Sequence, residues 1–246
     1  MRPFRWDIFF EFYVKVLPYI LVTLEYVAGS IFFGTIIGGT IAAGRLSKKR
    51  WLRILAGAYI TIMRCVPSIV LLFLVYYGVP MVLEQQFGIL LEDNGVIVYV
   101  IITFSLLLGA SISEILRTAY LSVPKGQYEA ALMIGLSPIK AFIRIILPQT
   151  LSVALPNYGN IFIFMMKEGA LAFTIGLQDV FGRGVYLNGL KANVFSLETY
   201  VALTFVYWPC TMLLEVLFNY LEKKSRNNKE VKLKKKSKVR LGRVVS

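Results

Sequence analysis

Five long apolar runs, at roughly residues 18–44, 53–80, 95–120, 150–172 and 198–221, constrain this chain more than any other feature. A helix crossing a hydrocarbon core about 30 Å thick needs about 20 apolar residues, each adding about 1.5 Å. Every run is long enough with some tilt. The expected fold is all-α, an integral membrane helical bundle of about five transmembrane helices. A hydrophobic content of 57% agrees, since soluble domains sit at about 45–50%. Residues 4–20 make a weak sixth span. Asp7, Glu11 and Lys15 interrupt that stretch, which also argues against a cleaved signal peptide. Residues 1–17 read instead as an amphipathic interfacial segment.

The connecting segments set the orientation. RLSKKRWLR, at 45–53, is dense in Lys and Arg, whereas VLEQQFGILLEDN, at 82–94, carries only acidic charge. Arg117, Lys125, Lys140 and Arg144 flank or occupy the segment between the third and fourth runs. Residues 176–197 hold only Arg183 and Lys191 as basic groups. Under the positive-inside rule these agree on an outside N-terminus and a cytoplasmic C-terminus. Much of the net charge of +13 lies after Leu221. Residues 223–246 therefore read as a basic cytoplasmic tail, disordered and close to anionic lipid. Nucleic-acid binding is disfavoured because no folded binding motif accompanies the tail.

Composition removes several kinds of chemistry. With no histidine, His-based acid–base work and most zinc and haem sites are excluded. Cys65 and Cys210 lie far apart in apolar runs and read as small buried hydrophobes. No catalytic or metal site is expected. GTIAAG, at 39–44, has P-loop glycine spacing, but Arg45-Leu46 follows it and it lies within an apolar run, so it is no nucleotide site. If ATP is used, another chain must bind it. Gly34 and Gly38 form GxxxG, extended by Ser30. Such a stripe admits a close helix neighbour, in this chain or in a second copy.

EAALMIGLSPIKAFIRIILPQ, at 129–149, is too broken to span and too apolar for a plain loop. Residues 127–134 are good helix formers, and Gly135 fits the left-handed position past a helix end. Ser137 fits an N-cap, with Pro138 at the first helical position. Ile139, Phe142, Ile143 and Ile146 make one apolar face, and Pro148 ends or kinks the second helix. The pattern predicts an amphipathic helix–turn–helix on the cytoplasmic side. It either ties two spans together or inserts into a groove on a soluble partner.

The ordered spacing of Glu129, Ala130, Ala131, Gly135, Ile145, Leu147 and Pro148 resembles the EAA loop of ABC importer permease subunits. SEILRTAYLSVPKGQYEAA, at 113–131, and YITIMRCVPSIVLLF, at 59–73, resemble the polar amino-acid permeases of that family. The resemblance covers about residues 18–222. It implies an ABC type I importer permease fold, with domain 18–222 including the cytoplasmic loop 126–148. That loop would supply the coupling helix that docks on an ATPase. Glu129, Ala130, Ala131, Gly135, Leu136, Ser137 and Pro138 would carry the contact. It further implies a cytoplasmic ATPase dimer holding ATP and Mg, a second permease chain and an extracytoplasmic amino-acid-binding protein, all in a bacterial cell membrane. This chain would then be a transport subunit, neither an enzyme nor a holder of any cofactor. LAFTIG, at 171–176, most resembles cystine-type importers, which makes L-cystine one candidate substrate. There is a departure: Gly169 and Ala170 stand where the family often has hydroxyl residues.

Ionisable groups inside spans are costly and often functional. An amino acid brings a carboxylate and an ammonium, so its path wants a cation, an anion and exposed backbone at a broken helix. Arg64 near Pro67, Lys167, Glu168 and Glu25 are the candidates. The competing role for Arg64 is a structural ion pair with Glu25 or a bond to a carbonyl. Glu114 and Arg117, three apart, read as a structural pair. A passive channel or scaffold would leave the docking element unexplained, and a membrane enzyme lacks a legible catalytic cluster. An ABC permease for another solute differs only in substrate.

Overall fold

The computed structural model describes residues 2–88 and 95–244, with side chains to residue 224. Residues 89–94 of the acidic connection lie outside the described residues. Five helical stretches are long and apolar enough to cross a membrane: Trp6–Leu46, Ser68–Phe87, Val96–Leu121, Pro138–Ile175 and Ser196–Lys224. The first comprises α1 (Trp6–Val16), a 3-10 turn at Leu17–Tyr19 and α2 (Ile20–Leu46). α1 is therefore the lead-in to the first span and not a sixth span.

The second span differs from expectation. α3 (Arg50–Cys65) stops, and α4 (Ser68–Phe87) restarts after Val66 and Pro67, both extended, with ψ of 125° and 138°. Pro67 lacks an N–H and disfavours helical backbone at the residue before it. The candidate span is thus α4, at 68–87, and not 53–80. Arg64 lies in the last turn of α3, exposed, rather than inside a continuous span. Cys65 is exposed for the same reason and Cys210 is half-buried, so neither is a fully buried hydrophobe. Tyr59 anchors α3 by donating to the Leu106 carbonyl at 2.6 Å.

α5 (Val96–Leu121) is the central helix; half its apolar stretch is buried, the largest share among the five. α2 runs parallel to it in close register. A Cβ on Gly34 would sit 2.9 Å from Leu108, and one on Gly38 would sit 2.7 Å from Ile112 Cγ2. Ser105 Oγ donates to the Ser30 carbonyl at 3.4 Å. The small-residue stripe thus serves a within-chain contact, the alternative that sequence left open. We expect Gly38→Val to lower the melting temperature of the detergent-solubilised protein, since overpacking costs about 1–3 kcal/mol. An unchanged melting temperature would contradict the close α2–α5 approach.

The segment between α5 and α8 holds α6 (Lys125–Met133), α7 (Pro138–Ala141) and a π-helical turn at Phe142–Ile146, which runs directly into α8 (Leu147–Glu168). Pro148 therefore does not end the second helix. It sits in the first turn of α8, where its missing N–H is tolerated, and the π turn absorbs the local mismatch. A 3-10 segment at Gly169–Ile175 leads to α9 (Val180–Leu190) and then α10 (Ser196–Val244). Where a disordered tail is expected, the backbone of α10 continues helically. Lys, Arg and Glu are good helix formers, and the span supplies the nucleus.

Two apolar cores result. Tyr26, Leu72, Phe104, Ile112, Met165 and Met166 form the main one, between α2, α4, α5 and α8. Phe9, Phe12, Val16, Val180, Leu187 and Leu203 join α1 to α9 and α10. Arg2 locks the same corner by pairing with the buried Glu198 at 2.6 Å.

Candidate functional site

The turn between α6 and α7 is built by a helix C-cap. Gly135 has φ +82°. Its N–H donates to the Leu132 carbonyl at 2.9 Å, and the Leu136 N–H donates to the Ala131 carbonyl at 3.2 Å. This pairing is the Schellman motif, which satisfies carbonyls left over at a helix end. Ser137 stands at the N-cap with Pro138 at N1, but its hydroxyl makes no capping bond. Ala131 and Ala141 are buried on the inner side of the turn, whereas Met133, Ile134 and Ile139 are 88%, 78% and 71% exposed. Glu129 and Ala130 are also exposed. Tyr120 and Phe142, with ring centroids 6.4 Å apart, tie the second arm to α5. A segment that only linked two spans would turn its apolar side chains toward them. Here Ile146 packs inward and Phe142 meets Tyr120, but Met133, Ile134 and Ile139 stay exposed.

The break between α3 and α4 is the second feature. Ser68, the first residue of α4, donates its hydroxyl to the Glu168 carboxylate at the end of α8. Arg64 is one turn earlier, across the break. Sequence reasoning missed Ser68, although a hydroxyl directly after Pro67 was the available signal. Arg64, Lys167 and Glu25 are exposed, and none forms an ion pair among the described residues. The alternative of an Arg64–Glu25 pair is therefore absent. Glu114 is held by Arg117 at 2.7 Å and Arg45 at 3.7 Å, a structural role.

A third cluster lies beside α9. Asp179 is fully buried and caps α9, accepting from the Gly182 N–H at 2.8 Å. Its other oxygen accepts from Tyr26 at 3.4 Å and Tyr207 at 3.5 Å. Thr23 accepts from the Val180 N–H at 3.4 Å. Burial pushes the Asp179 carboxyl up to about 6, because desolvation is not offset by a cation among the described residues. Sequence reasoning missed Asp179, since the two tyrosines come from distant helices; an acidic residue at a helix start was the available signal. The Tyr26 phenol also occupies the space of a side chain at 169. A Cβ there would fall on its ring, 2.5 Å from Cζ.

Five apolar helical stretches and an exposed, capped turn set the frame for the comparisons with known proteins. Residues 31–227 match the family of binding-protein-dependent transport system inner membrane components. The chain belongs to that family. It is a multi-pass membrane permease of the ABC importers, with a type I permease fold, and ATP hydrolysis falls to a separate ATPase subunit. The permease is 37% identical to the L-cystine transport system permease protein TcyL of Bacillus subtilis (strain 168), over 92% of this chain and 94% of the relative. It is 32% identical to TcyB, another L-cystine transport system permease of that organism, over 89% and 90%. The crystal structure of an amino acid ABC transporter with histidines contains a chain that superposes with TM-score 0.74 at 25% identity. The match covers 91% of the permease and all of that chain.

Proposed function

We propose that this permease imports polar amino acids, with L-cystine as substrate, as one of two permease chains around a common path. The supporting observation is its likeness to two L-cystine permeases over about nine-tenths of each chain. The N-terminus lies outside and the C-terminus in the cytoplasm, which puts the 129–148 turn where an ATPase can reach it. The exposed Met133, Ile134 and Ile139, beside Glu129 and Ala130, insert into a groove on that ATPase. Each of two ATPase subunits binds ATP and Mg and grips one such turn through Glu129, Ala130 and residues 135–138, while Ala131, expected at the contact, is buried and supports the turn from inside. An extracytoplasmic binding protein delivers the amino acid.

The substrate passes the break between α3 and α4. Arg64 and Lys167 attract its carboxylate, and Glu168, held by Ser68, receives its ammonium. Glu25 adds negative charge to the path from α2. Unpaired charges at a broken helix suit a zwitterion, because exposed backbone and side chains replace its lost hydration. The test is ATP-driven uptake of labelled L-cystine into proteoliposomes holding the permease, its co-purifying ATPase and the binding protein. Uptake should be competed by unlabelled L-cystine and by other polar amino acids. Failure of every amino acid to compete would overturn the substrate class, and failure of any ATPase to co-purify would overturn the importer reading.

A further inference from the structure

We propose that Asp179 is a positioning residue for the substrate path, acting through Tyr26 on the Glu168 end of α8. The inference rests on the reading of Glu168 as a path residue. Capping alone does not explain Asp179. Ser, Thr or Asn caps a helix about as well, without the cost of burying a carboxylate that has no cation. What the carboxylate adds is its second oxygen, which faces the phenols of Tyr26 and Tyr207. Tyr26 is itself fully buried, and its phenol end lies against Gly169 with no room for a Cβ. Gly169 directly follows Glu168, whose carboxylate meets Ser68 at the helix break.

A continuous set of contacts thus runs from α9 through Tyr26 to Gly169, Glu168 and Ser68. Each step is fixed. Asp179 caps α9, Tyr26 has no free space to turn into, and Gly169 presses on its ring. Sites are held to sub-ångström tolerance by such supporting groups rather than by the residues that touch ligand. Without the Asp179 bond, the phenol loses the partner that fixes its hydroxyl, the packing of its ring on Gly169 readjusts, and Glu168 leaves its position opposite Ser68.

The experiment is equilibrium binding of radiolabelled L-cystine to the purified permease–ATPase complex, without binding protein, for wild type, Tyr26→Phe, Asp179→Asn, Glu168→Gln and the Tyr26→Phe/Glu168→Gln double variant. Thermal unfolding of the same complexes reports structure separately. Tyr26→Phe removes one oxygen atom, so it decides the matter should Asp179→Asn fail to assemble. We expect Tyr26→Phe to weaken binding about tenfold, the scale of a lost hydrogen bond to a charged group. In the Glu168→Gln background it should have almost no further effect. Factors that multiply in the double variant would overturn the positioning role, as would a fall in melting temperature with unchanged affinity. Absent wild-type binding, or Glu168→Gln binding as wild type, would overturn the substrate-path reading and the positioning role with it.

Discussion

Gly135→Val is expected to reduce ATP-driven uptake by more than tenfold while leaving membrane abundance near wild type. Gly135 has φ +82°, and a Cβ there would meet nothing within 4 Å. The effect of valine is therefore purely conformational. Left-handed backbone costs about 1–2 kcal/mol for an ordinary residue and more for a β-branched one, and about 1.4 kcal/mol is a tenfold change in population. The Schellman bonds from Gly135 and Leu136 would open, and Ile134 and Ile139 would lose their shared presentation. Because the turn is exposed and far from the cores, insertion should survive. ATP hydrolysis should continue without transport. Gly135→Asn tolerates the left-handed region better and should keep a larger share of uptake. Wild-type uptake by a correctly inserted Gly135→Val would sink the proposed docking turn. An equal loss in the Asn and Val variants would sink the conformational explanation.

Gly169→Ala should have a large effect for a single added methyl group. A Cβ at 169 would sit 2.5 Å from Tyr26 Cζ. Tyr26 cannot move aside, being fully buried and bound to Asp179. Overpacking of this kind costs about 1–3 kcal/mol, and here it falls beside the proposed substrate path. We expect a lower melting temperature in detergent together with lost L-cystine uptake. Tyr26→Leu should partly restore stability to Gly169→Ala by opening the same space, although it removes the phenol. If Gly169→Ala melts and transports as wild type, the Tyr26–Gly169 contact is not as close as described.

The departure noted at Gly169 acquires a reason in three dimensions. Read along the chain, a glycine there only puts a side-chain hydrogen bond in doubt. In the fold, the Tyr26 phenol, 143 positions earlier, occupies that space. The turn between α6 and α7 was far more legible. Gly135, Ser137 and Pro138 act on backbone within a few positions of themselves, and capping rules are local. What those rules missed was Pro148. Its helix-breaking effect depends on whether the preceding turn can widen, and the π turn at Phe142–Ile146 supplies that. Arg64 was misplaced for a related reason. Hydropathy averages over Val66 and Pro67 and sees one run, whereas the backbone sees an X–Pro step that ends a helix.

The amino-acid sequence by itself determined the all-α membrane class, because apolar length against bilayer thickness leaves few alternatives. It also determined the capped turn, because left-handed glycine and N1 proline are single-residue constraints. Only the tertiary structure decided that the Gly34–Gly38 stripe packs on α5. Only the fold, likewise, joined Ser68 to Glu168 and set Asp179 against Tyr26 and Tyr207. Those contacts join residues far apart in the chain, and their energies depend on burial and register, which no local pattern encodes.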